Sequence, residues 1–245
     1  MPSPLNYQRK RNAVLLQIDH GSSNAFDFEL IESFNRCLDE IDKNKSLVII
    51  GNGRFFSSGL NLVEMQKLNS QNFEDLINQF QDLLFRILNY PKTVIALING
   101  HSVAGGFILS CACDIRFING TNFKMGMNDK QMSISLPPIP MAILNTVFGS
   151  RLNRILNQYE FLTPESEILK KEFNAIKHSD VDRLMDSQIY KGYKSKHQLF
   201  RRAKVDAVKK YLLDNQFQIM EEFIRSWWSQ EAVQNRNDII NRLKI

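Results

Sequence analysis

Apolar residues follow two different periods along this chain, and each predicts a different element. The run Ala13-Val14-Leu15-Leu16-Gln17-Ile18 is almost continuously apolar and short, which predicts a buried strand. The apolar positions Leu30, Phe34, Cys37, Leu38 and Ile41 then step by four, three, one and three, the spacing of one helical face. Asn24 or Asp27 would cap that helix. Leu47-Val48-Ile49-Ile50 predicts a second strand, and Leu76, Phe80, Leu83, Leu84 and Ile87 a second amphipathic helix that Pro91 ends. Val94 to Ile98 predicts a strand, a short helix starts near Gly105, and Asp114 to Ile118 predicts another strand. Two helices follow, Pro137–Phe148 and Arg151–Phe161, and beyond about Asp180 no strand pattern remains. The tail reads as three helices, Gln198–Leu213, Gln216–Trp228 and Glu231–Lys244. Strand and helix alternate through the first part, so the fold class is α/β with a C-terminal helical region.

Two glycine-containing turns interrupt this alternation at equivalent places. Arg54-Phe55-Phe56-Ser57-Ser58-Gly59-Leu60-Asn61-Leu62 follows the strand ending at Ile50. Asn99-Gly100-His101-Ser102-Val103-Ala104-Gly105-Gly106-Phe107 follows the strand ending at Ile98. Each leads into an apolar, helix-like segment. Backbone N–H groups left free at such turns are donors for a negatively charged oxygen. Two that converge make an oxyanion hole, which stabilises an enolate or a tetrahedral intermediate. Gly59 and Gly105 carry no Cβ, so a ligand can approach the main chain there.

These turns, in this order, resemble the crotonase family, the enoyl-CoA hydratase/isomerase superfamily. The stretch from Phe56 to Met65 is similar to the family's first oxyanion motif, and Asn99 to Gly106 with Cys113-Asp114-Ile115 to its second. The resemblance implies a spiral of strand–strand–helix turns. It places an acyl-CoA site in residues 1–185 and a lid or oligomerisation region in residues 186–245. It implies that the backbone N–H groups of Leu60 and Gly105 are the oxyanion donors. Arg54 would lie near the coenzyme A phosphates and Ser58 near the adenine. Gly59, Leu62, Gly106, Phe107, Ile108 and Met127 would line the rest of the substrate site. It further implies a homotrimer or a dimer of trimers, and no cofactor beyond the coenzyme A carried by the substrate.

The acidic residues separate the chemistries within that family. Its hydratases use two carboxylates, one of them three residues past the oxyanion glycine. Here that position is Ile108, which cannot transfer a proton. The second acidic position matches Asp129 in Met125-Gly126-Met127-Asn128-Asp129. One carboxylate with an oxyanion hole resembles the mitochondrial-type Δ3,Δ2-enoyl-CoA isomerases, which have Gly-Leu-Asn-Glu where this chain has Gly126-Met127-Asn128-Asp129. The family's dienoyl isomerases carry an aspartate about eight residues further on, where this chain has Pro137. The implied reaction moves the double bond of a 3-enoyl-CoA to the 2-enoyl position. An apolar setting from Phe107, Ile108, Met125 and Met127 would raise the Asp129 pKa toward its working range. Two alternatives stand beside it: a thioester hydrolase in which Asp129 activates water, and a homologue that binds acyl-CoA without turnover.

Composition narrows the surroundings. The 245 residues are 43% hydrophobic and 23% charged with a net charge of +5, as in an ordinary globular protein. The basic residues are scattered, except for a denser stretch at Lys191–Lys196 and Arg201-Arg202 that predicts a solvated helix face and not a nucleic-acid surface. Cys37, Cys111 and Cys113 predict buried free thiols, since no second Cys/His pair offers zinc spacing and no metal is expected. Of the dispersed histidines only His101 lies in a turn, and a structural role is expected for it. No apolar run reaches membrane-spanning length, and Met1 to Asn12 has neither a secretory nor a transit pattern, so the cytoplasm is the expected location.

Overall fold

The computed structural model describes residues 3–177, 180 and 194–243. The boundary expected near residue 185, His178 and the basic Lys191–Tyr193 lie outside the described residues. Two parallel-strand layers organise the chain. The larger sheet has six strands in the order β1 (Leu5–Arg9), β2 (Ala13–Ile18), β3 (Ser46–Gly51), β5 (Val94–Ile98), β7 (Ile115–Ile118) and β9 (Asn174–Ala175). The β1–β2 pair is antiparallel and the other pairs are parallel. The smaller sheet pairs β4 (Phe55–Ser57), β6 (His101–Val103) and β8 (Met125–Gly126), all parallel. Each of β3, β5 and β7 thus runs on into a short strand of the second sheet, and helices return the chain to the first. That is the expected spiral of strand–strand–helix turns.

The helices in chain order are α1 (Phe28–Glu40), α2 (Leu62–Met65), α3 (Ser70–Leu88), α4 (Gly105–Ala112), α5 (Asp129–Met132), α6 (Pro138–Phe148), α7 (Leu152–Leu156), α8 (Glu167–Lys170), α9 (Lys194–Trp227) and α10 (Gln230–Leu243). The periodic positions behave as their spacing requires: Leu30, Phe34, Cys37 and Leu38 of α1 and Leu76, Phe80, Leu83, Leu84 and Ile87 of α3 are buried. β3 and β5 read as unbroken apolar runs because both of their faces are covered, as in parallel sheets generally. Among the described residues no helix is long and apolar enough to cross a membrane.

The elements that differ from expectation are those without a period to read. The three-residue strands β4 and β6 contain Ser57, His101 and Ser102 and are too short to alternate. Four of the five residues of β1 are exposed, so its edge position carries no apolar pattern. Asp27, not Asn24, caps α1 by accepting from the Leu30 amide at 3.0 Å. The helix expected over Arg151–Phe161 is a 3₁₀ turn followed by α7, which stops at Leu156, and Leu162 then bridges back to Met125. The tail has one break fewer than expected. α9 runs through Asp214 and Asn215 because neither glycine nor proline interrupts it. Leu213 and Phe217 of this helix are 80% and 82% exposed.

Lys204 is one of the residues that tie the tail to the spiral. Lys204 of α9 donates from Nζ to the carbonyls of Cys111, Ala112 and Cys113, at 2.8, 2.9 and 2.9 Å. These are the orphan acceptors at the C-terminal end of α4, where a cation also suits the helix dipole. Arg116 adds a bond to the Cys113 carbonyl at 2.8 Å, and Arg201 of α9 pairs with Asp114. Burial pulls the Lys204 pKa down to about 8. Lys204→Met is expected to lower the unfolding free energy by about 2–3 kcal/mol, because the Ala112 carbonyl loses its side-chain partner and the Cys111 and Cys113 carbonyls keep only Arg116. Urea unfolding checks this, and an unchanged midpoint would mean that water serves those carbonyls equally well. The adjacent thiols of Cys111 and Cys113 are buried, which pushes their pKa values up to about 11 and 12 and leaves them unreactive.

Candidate active site

The second, smaller sheet brings the two glycine turns together. Phe55 lies opposite His101 and Ser57 opposite Ser102. Asn24, itself buried with φ at +53°, clamps the first turn by donating from Nδ2 to the Phe55 carbonyl at 2.8 Å. Ser57 Oγ donates to the Asn24 carbonyl at 2.7 Å and accepts from the Gly59 amide at 3.1 Å. On either side of Leu60 the main chain is occupied: the Gly59 carbonyl accepts from Phe26 at 2.7 Å, and the Asn61 amide donates to Phe26 at 2.8 Å. The Leu60 amide between them has no hydrogen-bond partner among the described residues.

Gly105 supplies a second unpaired amide at the first position of α4. The approach of the two turns depends on glycine. Gly59 has φ at +89°, and a Cβ there would stand 2.6 Å from the Gly105 nitrogen. A Cβ on Gly105 would lie 3.1 Å from the Gly59 Cα and 3.4 Å from the Leu60 nitrogen. The bend into α4 is made by Ala104, whose φ of +47° and ψ of −123° are unfavourable for a residue with a side chain. Two bonds hold it there: its amide donates to the Gly126 carbonyl at 2.8 Å, and its carbonyl accepts from Ile108 at 3.0 Å. Backbone strain of this kind collects at functional sites, where the surrounding structure over-determines it.

The third unit of the spiral delivers the carboxyl group. β8 pairs with β6, and Gly126 at φ +116° turns the chain so that Met127, Asn128 and Asp129 face one cavity with Leu60, Gly105 and Ile108. Asp129 is 8% exposed, and its Oδ2 has no hydrogen-bond partner among the described residues. The Oδ1 of Asn128 beside it is likewise buried and unpaired. Burial among apolar groups raises the Asp129 pKa to about 7, although the backbone amides of Asp129 and Asn128 pull it part of the way back. A carboxyl group poised near neutrality can both take and return a proton.

The cavity measures about 70 Å³, and side chains from distant parts of the chain close it: Met65, Phe80, Met132, Leu136, Phe223 and Trp227. Of the expected site residues, Ser58, Leu60, Leu62, Gly105, Ile108, Met127 and Asp129 line it, and Gly59 packs directly behind Gly105. Three do not. Phe107 turns the other way from α4 and stacks on Phe148 and Phe173 at 5.9 and 5.7 Å, so it is a core residue. A Cβ on Gly106 would fall 2.2 Å from the Ser57 carbonyl oxygen, so this glycine serves the packing of α4 on β4 and not the ligand. Arg54 is exposed outside the cavity, and its carbonyl accepts from the His101 amide. His101 is structural: its Nδ1 accepts from the Lys124 amide at 2.9 Å. Pro137 both caps α6 and lines the cavity. The wall formed by Phe223 and Trp227 is not local to any motif, and the only trace of it in the sequence is the aromatic content of the tail.

The family model described as enoyl-CoA hydratase/isomerase matches residues 8–152. A Bacillus subtilis protein named as a probable enoyl-CoA hydratase is 33% identical over 125 residues, covering 49% of this chain and 48% of that protein. The mitochondrial enoyl-CoA delta isomerase 1 of Rattus norvegicus is 30% identical over 153 residues, covering 60% of this chain and 53% of that protein. The matched segments thus span about half the length of these curated relatives. The crystal structure of human mitochondrial delta3-delta2-enoyl-CoA isomerase superposes with a TM-score of 0.84 at 19% identity, covering 98% of both chains, a likeness of fold.

Proposed function

The chain belongs to the enoyl-CoA hydratase/isomerase family, and on that premise we propose that it is a Δ3,Δ2-enoyl-CoA isomerase. The observation that carries the reading is a single buried carboxyl group, raised to a pKa of about 7, in one cavity with two unpaired main-chain amides. In this reading Asp129 removes a proton from C2 of a 3-enoyl thioester. The electron pair of that C–H bond moves into the thioester, whose carbonyl oxygen becomes anionic. The Leu60 and Gly105 amides hold this oxygen, and each such donor is worth on the order of 3 kcal/mol in a dry site. Asp129 then returns its proton to C4, and the C3–C4 double bond shifts to C2–C3. One acid suffices because both carbons lie on the same face of a planar dienolate.

Ile108 supports isomerisation over hydration. It stands in the cavity wall where addition of water by two carboxylates needs an acid. The apolar lining also keeps water from the intermediate. The trimeric assembly, and the division of labour between a substrate-binding spiral and a helical lid, belong to the same proposal.

Incubation with a 3-enoyl-CoA tests it. The conjugated 2-enoyl thioester is expected as the product, followed by its ultraviolet absorbance, with no free coenzyme A and no 3-hydroxyacyl product. Release of free thiol would establish a hydrolase instead. Binding without any product would establish a non-catalytic homologue.

A further inference from the structure

Trp227 is held more firmly than a cavity wall requires. Its ring stacks on Phe73 with centroids 4.7 Å apart, and Phe73 in turn stacks on Phe223 at 5.9 Å. On its other side lies the guanidinium of Arg236, 3.9 Å from the ring centroid. Arg236 Nη1 also donates to the Trp227 carbonyl at 2.7 Å. Arg236 is 4% exposed, and its Nε has no hydrogen-bond partner among the described residues. No carboxylate among the described residues pairs with it. A buried guanidinium without a counter-ion is costly to keep. Here its cation–π contact and its carbonyl bond both go to one residue, Trp227. The indole is therefore fixed in place, and with Phe223 it closes a cavity that also contains Asp129, Leu60 and Gly105.

The size of that cavity has a chemical meaning. About 70 Å³ is roughly half of a ~150 Å³ cavity that encloses one benzene ring. Each further acyl carbon beyond the reacting thioester head must therefore displace the lining. The Trp227 indole is part of that lining, and Arg236 and Phe73 oppose its movement.

We propose that this site selects short acyl thioesters, with Trp227 as the stop that sets chain length and Arg236 as the residue that positions the stop. This rests on the isomerase reading for the identity of the reaction, but not for the length limit.

The test measures kcat/KM for 3-hexenoyl-CoA and 3-decenoyl-CoA in the wild type, Trp227→Leu and Arg236→Met. Calorimetric binding of saturated hexanoyl-CoA and decanoyl-CoA to the same proteins runs beside it. The wild type is expected to prefer the six-carbon substrate by at least about tenfold, since overpacking a closed pocket costs that much or more. Trp227→Leu is expected to reduce the preference to about threefold or less, by gaining on the ten-carbon substrate. Arg236→Met is expected to fall between, with the change in KM and not in kcat. Phe223→Leu replaces Trp227→Leu if thermal melting shows that variant unfolded, and the same narrowing is expected of it. Equal wild-type use or binding of the two lengths would overturn the proposal and leave the isomerase reading intact. Discrimination in binding with no turnover of either substrate would overturn the isomerase reading and leave the length limit intact. An unchanged preference in folded Trp227→Leu and Phe223→Leu would move the stop elsewhere.

Discussion

Asp129→Asn is expected to lower kcat for 3-enoyl-CoA isomerisation by about a thousandfold while making the protein more stable at neutral pH. The first effect follows from removing the only acid among the described residues that line the cavity, since a positioned general acid–base contributes about 10²–10⁴-fold. The second follows from linkage. The folded protein holds the Asp129 proton up to about pH 7, whereas the unfolded chain releases it near 3.8. Unfolding therefore releases a proton between those values, and stability falls as pH rises through that window by about 1.4 kcal/mol per unit. Below pH 4 this penalty is absent, and above pH 7 it is fully present. Asn carries no such penalty, so the stability advantage of the variant should grow from near zero at pH 4 to on the order of 3–4 kcal/mol at pH 8. Urea unfolding of both proteins at several pH values measures it. The wild-type kcat/KM should rise with pH and level off above about 7, as the free base forms. Equal rates for wild type and variant would remove Asp129 from the mechanism, and a stability difference independent of pH would place its carboxyl group in water.

Gly59→Ala is expected to lower kcat by about 10²–10³-fold, the loss usual when one oxyanion donor is removed. Two causes act together. At φ +89° a side chain is strained, and its Cβ would press to 2.6 Å from the Gly105 nitrogen and 3.2 Å from the Val103 carbonyl oxygen. These are backbone atoms that cannot swing aside, so the turns must separate and the Leu60 and Gly105 amides diverge. Gly105→Ala is the useful contrast. Its φ is not positive, and its nearest neighbours, the Gly59 Cα and the tip of the Phe80 ring, are both at 3.1 Å. A shift of a few tenths of an ångström relieves that contact, so a loss of only about tenfold is expected. Steady-state kinetics of the two variants, with thermal melting of each, decides between them. Wild-type kcat in folded Gly59→Ala would show that the two amides do not act on one oxygen.

The outcome at individual residues shows which signals are legible in a linear chain. α1 and α3 were readable because burial along a helix repeats every three or four residues, and the strands β2, β3 and β5 because both their faces are covered. Asp129, Leu60 and Gly105 could be named because the residues around them resemble the motifs of a known family. Phe107 and Gly106 lie outside the cavity for a related reason. Adjacent residues on a helix point about 100° apart, so their nearness in sequence to Gly105 does not put them on the same face. The break expected in the tail failed because polar residues alone do not stop a helix.

The sequence by itself determined the alternating α/β architecture and the two glycine turns, and its resemblance to a known family singled out Asp129 and Ile108. Only the tertiary structure decided that Leu60 and Gly105 line one cavity with Asp129, that Asp129 is dry enough to titrate near neutrality, and that Phe223 and Trp227 form part of the wall. The division has a physical origin. Periodicity and turn chemistry arise between residues a few positions apart and leave a mark on local composition. Desolvation and cavity shape arise between segments that meet only after the chain has coiled, and no neighbouring residue in the sequence records them.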